Sequence, residues 1–251
     1  MKHLTTHIGL PVGPLPDSVV REFLRQVFET YRWFRPERYG YASLDGRVDP
    51  AAIDYDALLA CYKELKVLTI AARTDRDYLL ISPVKPGEPP YAGEIIWASS
   101  AREATKPAWR SAHLQQVLEV MGMMEAPLAQ AGTDEDLEGK QWRRIRDPEG
   151  FSTTETFTVR DYSEGLSGLF WRNFFGPPFV RMFGERLDSL AGEFKQELGG
   201  GIVLVQPYEL PTLAGTLEGD ARERQLIAHL GPECFYDHQR HLKPTRVPEL
   251  R

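Results

Sequence analysis

The amino-acid sequence predicts an α+β fold, a mainly antiparallel sheet with several flanking helices. Two amphipathic helical segments open the chain, at residues 17–31 and 55–65, and three short β-rich runs, VLTIAAR, DYLLISPV and GEIIWAS, then follow one another directly. Strands in succession fit antiparallel pairing better than the strand–helix alternation of a doubly wound parallel sheet. At 251 residues the chain lies near the upper end of what one core supports, so a single domain spanning 1–251 is expected, with 1–16 and 243–251 as extended tails. Hydrophobic residues make up 42% and charged residues 26%, which is ordinary globular usage and enough to bury a core.

Each element has its own signal. After a Pro/Gly-rich lead-in, Val20, Phe23, Leu24, Val27, Phe28 and Tyr31 recur at intervals of three and four, one stripe of a helix that starts at Asp17 and ends before Pro36. The stretch RPERYGYASLDGRVDP is rich in turn formers and reads as a loop. A second helix follows, with Tyr55, Leu58, Leu59, Tyr62 and Leu65 inward. The first two β runs flank a polar turn at Thr74, Asp75 and Arg76 and form a hairpin; a Pro/Gly loop at 85–90 leads to the third. Residues 109–124 read as a long helix with His113, Val117, Val120, Met121 and Met124 along one side, a Met-rich stripe better taken as core than as a binding surface.

Beyond the acidic stretch at 131–140, TETFTVR alternates with period two, a strand with Phe157 and Val159 on one face. The segment EGLSGLFWRNFFGPPFVRMFGERLDSL reads as a helix broken at Gly176, Pro177 and Pro178 that then resumes, since proline is tolerated in a first helical turn. Its Trp171, Phe174, Phe175, Phe179, Met182 and Phe183 belong in a core, where each large side chain contributes about 1.5–3 kcal/mol. Arg172 and Asn173 fall between them and either lock buried backbone or reach a partner, locking being the better reading. Gly199, Gly200 and Gly201 read as a flexible link, followed by strands at 202–206 and around 212–217, and by a helix at 220–230 stopped by Gly231 and Pro232.

The search for chemistry returns little. Neither GxGxxG nor GxxxxGK(S/T) occurs, and GxSxG and HExxH are missing as well. One cluster, Cys234, Asp237, His238 and His241 within ECFYDHQRH, has residue types that ligate zinc or form a thiolate–imidazole pair, but it lacks a CxxC partner. A buried Cys234 with surface histidines is the favoured reading, and the chain is expected not to be an enzyme and to need no cofactor. The acidic stretch Asp134, Glu135, Asp136 and Glu138 is either a solvated segment or an imitation of nucleic-acid charge that occupies a basic cleft.

A formal charge of −6 argues against direct attraction to nucleic acid or anionic lipid. The amino terminus lacks the apolar run of about 7–15 residues of a secretory signal, and no stretch approaches the about 20 apolar residues needed to span a bilayer. A cytoplasmic protein is expected, with Cys61 and Cys234 as thiols.

The run GLSGLFWRNFFGPPFVRMFGERL resembles a segment of immunity proteins from bacterial polymorphic toxin systems, the family paired with toxins bearing a restriction-endonuclease-like domain. Arg35-Pro36-Glu37-Arg38-Tyr39-Gly40, Gly93-Glu94-Ile95 with Trp97, Gln206-Pro207-Tyr208, and Leu230-Gly231 followed by Cys234-Phe235-Tyr236-Asp237 fall in the order that family has. The resemblance covers the chain from about Trp33 to Pro248. It implies a cytoplasmic antidote to a toxin delivered by contact-dependent or type VI secretion. Its partner would be the cognate toxin effector domain, a nuclease with a basic cleft, and Asp134, Glu135, Asp136 and Glu138 are the residues taken to meet it. The competing readings are a metal- or thiol-dependent enzyme centred on Cys234, Asp237, His238 and His241, and a structural component of a secretion apparatus.

Overall fold

The computed structural model of the protein describes residues 3–74, 76–85, 87–146 and 153–250. Asp75 of the expected turn, Pro86 of the expected loop, and residues 1, 2 and 251 of the expected tails lie outside the described residues. The fold is a mixed α+β architecture with a substantial antiparallel sheet and flanking helices, and the chain divides into two compact units, His3–Ala129 and Gln130–Arg251.

The first unit contains β1 (His3–Gly9), α1 (Asp17–Arg25), β2 (Arg38–Gly40), β3 (Gly46–Arg47), α2 (Tyr55–Leu65), β4 (Leu68–Ala71), β5 (Tyr78–Ser82), β6 (Glu94–Ser100) and α3 (Pro107–Met124). Its strands lie in the order β1-β6-β5-β4-β2-β3, and these pairings are antiparallel. The hairpin and third strand expected at 67–100 are β4, β5 and β6, with Leu79 opposite both Ile70 and Trp97.

The first of the expected tails is not one. Residues 3–9 form β1, paired with β6 along its whole length with Thr6 opposite Trp97. The alternation is hidden because Thr5 and Thr6 are buried on opposite faces, so polarity does not mark the outward side. The expected loop at 35–50 likewise holds the short strands β2 and β3 at the edge of the sheet.

Helix α1 passes into a π-helical turn, Gln26–Tyr31, and ends at Arg32, whose left-handed backbone (φ 53°) precedes the expected stop at Pro36. Helix α2 lies where the sequence places its second helix: Asp54 caps it by accepting the Ala57 N–H at 3.0 Å, and Lys66 (φ 55°) ends it. Leu58, Leu59 and Tyr62 are buried, but Leu65 faces solvent. All five predicted inner residues of α3 are buried, and Glu125 (φ 53°) ends that helix.

Within the second unit come β7 (Leu128–Thr133, beginning at the end of the first), α4 (Asp134–Gln141), β8 (Trp142–Arg146), β9 (Thr153–Phe157), β10 (Arg172–Phe175), α5 (Pro177–Phe183), α6 (Glu185–Asp188), β11 (Lys195–Gly199), β12 (Ile202–Val205) and α7 (Leu217–Leu230). Here the sheet order is β11-β12-β10-β7, while β8 and β9 form a separate exposed ribbon in which the Trp142 and Phe157 rings pack at a tilt of 33° with centroids 3.8 Å apart.

The segment before Gly176 is a strand, β10, where the sequence predicts a helix. Leu169, Phe170, Trp171, Phe174 and Phe175 have no exposed surface, so both faces of the segment are covered and no polar side marks a period. After Gly176 the expected helix does follow, with Pro177 and Pro178 in its first turn. Gly199, Gly200 and Gly201 are not a loose link. All three have positive φ (86°, 61°, 73°) and turn β11 into β12, a conformation open to glycine at little cost. The strand expected around 212–217 is instead a 3₁₀ turn, Pro211–Leu213, leading into α7, which starts at Leu217 because the Thr216 hydroxyl accepts the Gly219 N–H at 3.1 Å. The carboxyl-terminal segment from Lys243 has no regular structure but is tied back: the Thr245 and Arg246 N–H groups both donate to the Glu233 carbonyl at 2.9 Å.

Phe175 packs its ring against Phe179 (5.8 Å) and Phe183 (5.0 Å) with no exposed surface. Truncating it to alanine is expected to cost about 3–5 kcal/mol, read as a lower urea midpoint at unchanged slope.

Candidate functional site

The acidic stretch lies on α4, where three carboxylates in the first turn complement the helix dipole. Glu135 and Glu138 are exposed and Asp134 is half-buried. Asp136 is turned inward. Its Oδ1 meets Lys140 Nζ at 2.6 Å, one turn along the helix, and its buried Oδ2 has no partner among the described residues.

Lys140 is the centre of a network the sequence did not disclose. Its ammonium also meets Glu223 Oε2 of α7 at 2.7 Å, donates to the Leu169 carbonyl at 2.6 Å and lies 5.0 Å from the centre of the Phe170 ring. Glu223 in turn accepts the Tyr208 hydroxyl at 2.9 Å. Burial raises the carboxyls of Asp136 and Glu223 above their ordinary values against the pull of Lys140, and burial with the Glu223 charge raises the Tyr208 hydroxyl. An ammonium shared by two carboxylates thus ties α4 to α7.

Gln206-Pro207-Tyr208 and the Trp171 segment are brought together here. Trp171 Nε1 donates to the Glu209 carbonyl at 2.9 Å, and the Arg172 guanidinium lies 4.3 Å from the Trp171 ring with Nε donating to Gln206 at 3.4 Å. Arg172 and Asn173 lock the interior, as the sequence favours; both are buried.

Cys234, Asp237, His238 and His241 do not converge. The Cys234 thiol is fully buried and burial pushes it up to about 11, away from the thiolate that nucleophilic or metal chemistry needs. Asp237 accepts the backbone N–H groups of Arg240 and Gln239, which hold its carboxyl below the ordinary range. His238 Nε2 donates to the Ser167 carbonyl at 2.6 Å, and His241 is exposed. Among the described residues no three His, Cys, Asp or Glu side chains are grouped to hold a metal ion, and Cys61 and Cys234 are free.

A second constellation, in the first unit, joins residues from two of the family-like segments. A cleft of about 560 Å³ is lined by Arg35 and Glu37 from one and Trp97 from the other. Trp97 is stacked on Trp33 (4.0 Å, 2° between planes) and on His113 (5.2 Å), with Trp109 at 5.9 Å. Gln116 accepts the Trp33 indole N–H at 3.0 Å, and Thr6 bonds His113 Nε2 at 2.9 Å. The Trp97 indole N–H is buried with no acceptor among the described residues. Half-buried Glu37, Asp77 and Glu103 line the cleft too, and burial raises the Asp77 carboxyl. Of the lining, Arg35, Glu37 and Trp97 stand in the family-like segments, and residue types alone carry no sign that the 59 residues between Glu37 and Trp97 loop away to bring Trp97 beside them.

No family model and no curated protein matches the chain. Among solved structures, a T6SS protein of Pseudomonas aeruginosa is similar in fold, with a TM-score of 0.54 and 15% identity over 92% of this chain and 76% of that one. No helix among the described residues is long and apolar enough to cross a membrane.

The Lys140 network fixes a pH dependence. The carboxyls of Asp136 and Glu223, ordinarily near 3.8 and 4.5, are raised in the folded state, so the folded chain holds protons that the unfolded chain releases. Their contribution is complete below the unfolded values and is lost as pH rises through the folded ones. Asp136→Asn removes that loss at one site and leaves Lys140 to Glu223. Urea unfolding from about pH 4 to 7 is expected to show the variant gaining stability relative to the parent as pH rises. A relative decline would mean that the ammonium outweighs burial.

Proposed function

We propose that the chain is an immunity protein of a T6SS-linked toxin system, binding its cognate toxin in the producing cell and blocking it through a stoichiometric interface. The observation that carries this reading is the correspondence of fold along 92% of the chain with a T6SS protein. The family-like segments support it from the sequence side.

The partner is a nuclease toxin whose substrate cleft is basic. On this reading α4 supplies the complementary charge: Asp134, Glu135 and Glu138 present carboxylates on one short helix, and Asp136, the fourth acidic residue, serves from the inside through Lys140. Anchoring by Lys140 holds the helix rigid, which lowers the ordering cost of association. Complementary charge of this kind raises the rate of encounter and weakens with salt.

Coexpression with the effector encoded beside it is expected to restore growth and yield a complex on purification. The double reversal Glu135→Lys/Glu138→Lys is expected to weaken that complex by about tenfold or more, chiefly by slower association. Absence of rescue and complex with the parent chain would refute the immunity reading. An unchanged affinity in the double variant would move the interface off α4.

A further inference from the structure

We propose that a second copy of this chain covers the β8–β9 ribbon and the outer face of α4, in a two-fold pair centred on Trp142 and Phe157. The ribbon is a sheet of two strands, separate from the main sheet, and β9 is exposed at every residue. Such a ribbon is marginal in water unless another element packs on it. It nevertheless displays large apolar side chains. Trp142 and Phe157 lie directly opposite in register, hence on one face, and keep 36% and 48% of their surface exposed. Arg144 and Glu155, two residues further along, share that face and pair at 2.8 Å, while Arg143 and Ile145 turn to the other. The base of the ribbon is held firmly. The Thr158 N–H donates to the Gln141 carbonyl at 2.9 Å and its hydroxyl to the Lys140 carbonyl at 2.8 Å, which ties both strands to the end of α4.

Charge selects the occupant. Helix α4 passes into β8 with no turn between them, Trp142 being already extended (φ −115°, ψ 139°). On the helix side of Trp142 stand four carboxylates against one ammonium, and that ammonium, Lys140, is engaged inward, so the exposed Glu135 and Glu138 set the sign of the outer face. On the strand side, β8 and β9 carry three arginines against one glutamate. A uniformly basic partner is repelled by the ribbon, and a uniformly acidic one by the helix. A surface with the same charges in reverse order meets both. Two-fold rotation of the chain about Trp142 presents that surface, because in such a pair residue i of one copy meets residue j of the other and j meets i. The arginines of each copy then lie against Glu135 and Glu138 of the other, with the Trp142 and Phe157 rings of both at the axis. A basic toxin cleft matches the acidic half alone, so toxin and second copy compete for α4 and the pair is the resting form.

Self-pairing is tested without a toxin, by analytical sedimentation of the full chain. The parent is expected to sediment as a dimer at about 100 µM in low salt, and its dissociation constant to rise about tenfold between about 50 and about 500 mM NaCl. Trp142→Ser/Phe157→Ser is expected to be monomeric with the far-ultraviolet spectrum of the parent. Glu135→Lys/Glu138→Lys and Arg143→Glu/Arg144→Glu, each folded by the same criterion, are expected to be monomeric alone, because each sets like charges opposite one another at both contacts. Mixed, with a fluorophore on one of them, they are expected to form a heterodimer, since both contacts then join opposite charges. The proposal is overturned by a parent that stays monomeric at about 100 µM, by a dimer that either charge variant leaves intact, or by folded charge variants that remain monomeric when mixed. If the chain does not pair while the toxin complex forms, self-pairing alone is lost; a dimer that fails to rescue growth on coexpression removes only the immunity reading.

Discussion

The second unit is organised around the side-chain amide of Asn173. It is fully buried, yet every hydrogen-bonding capacity it has is used: Nδ2 donates to the carbonyls of Phe170 (2.9 Å) and Val205 (3.1 Å), and Oδ1 accepts from the Phe170 N–H (3.0 Å) and Gln130 Nε2 (3.2 Å). A buried amide left unsatisfied costs about 1–3 kcal/mol. Its four partners belong to β7, β12 and the turn before β10, so they coincide at one register only. The surrounding aromatic side chains contribute more free energy, but burial is non-directional, and a strand covered on both faces could slip by one residue and still bury apolar surface. Asn173 fixes which of those arrangements forms, and with it the positions of Trp171, Phe174 and Phe175.

Charge in this protein divides into an inward and an outward population. Asp136 and Glu223 share Lys140 out of contact with most solvent, whereas Glu135 and Glu138 of the same helix are exposed. The net charge of −6 therefore describes the chain better than it describes any one face. What a partner meets is set by which carboxylates are already engaged, and a helix anchored by one of its own acidic residues holds the others in fixed places.

Much of the fold could be read from periodicity wherever one face of an element is wet. Helix α2 lies where it is predicted, the five inner residues of α3 are those of its stripe, and β4, β5 and β6 lie in the predicted order. Reading failed where that contrast vanishes. In β10 no residue is exposed, and in β1 buried threonines disguise the inner faces. Short strands such as β2 and β3 carry too few residues for any period to register. Site prediction had a different limit. Asp136, Lys140 and Glu223 meet because α4 packs on α7, and Glu37, Asp77 and Trp97 line one cleft because separate strands and a helix end close around it. Residue types alone do not carry those coincidences. The family-like segments came nearer, since Arg35, Glu37 and Trp97 do line one cleft.

Arg32, Lys66 and Glu125 each end a helix in the left-handed conformation that glycine adopts without strain. For a residue with a Cβ the conformation costs about 1–2 kcal/mol. Lys66 and Glu125 stand outside the residues that line the aromatic cleft. Point substitutions are destabilising on average, by about 1 kcal/mol each. The chain thus carries two helix ends where a single exchange for glycine acts as a suppressor, compensating for such losses without altering the lining of the aromatic cleft.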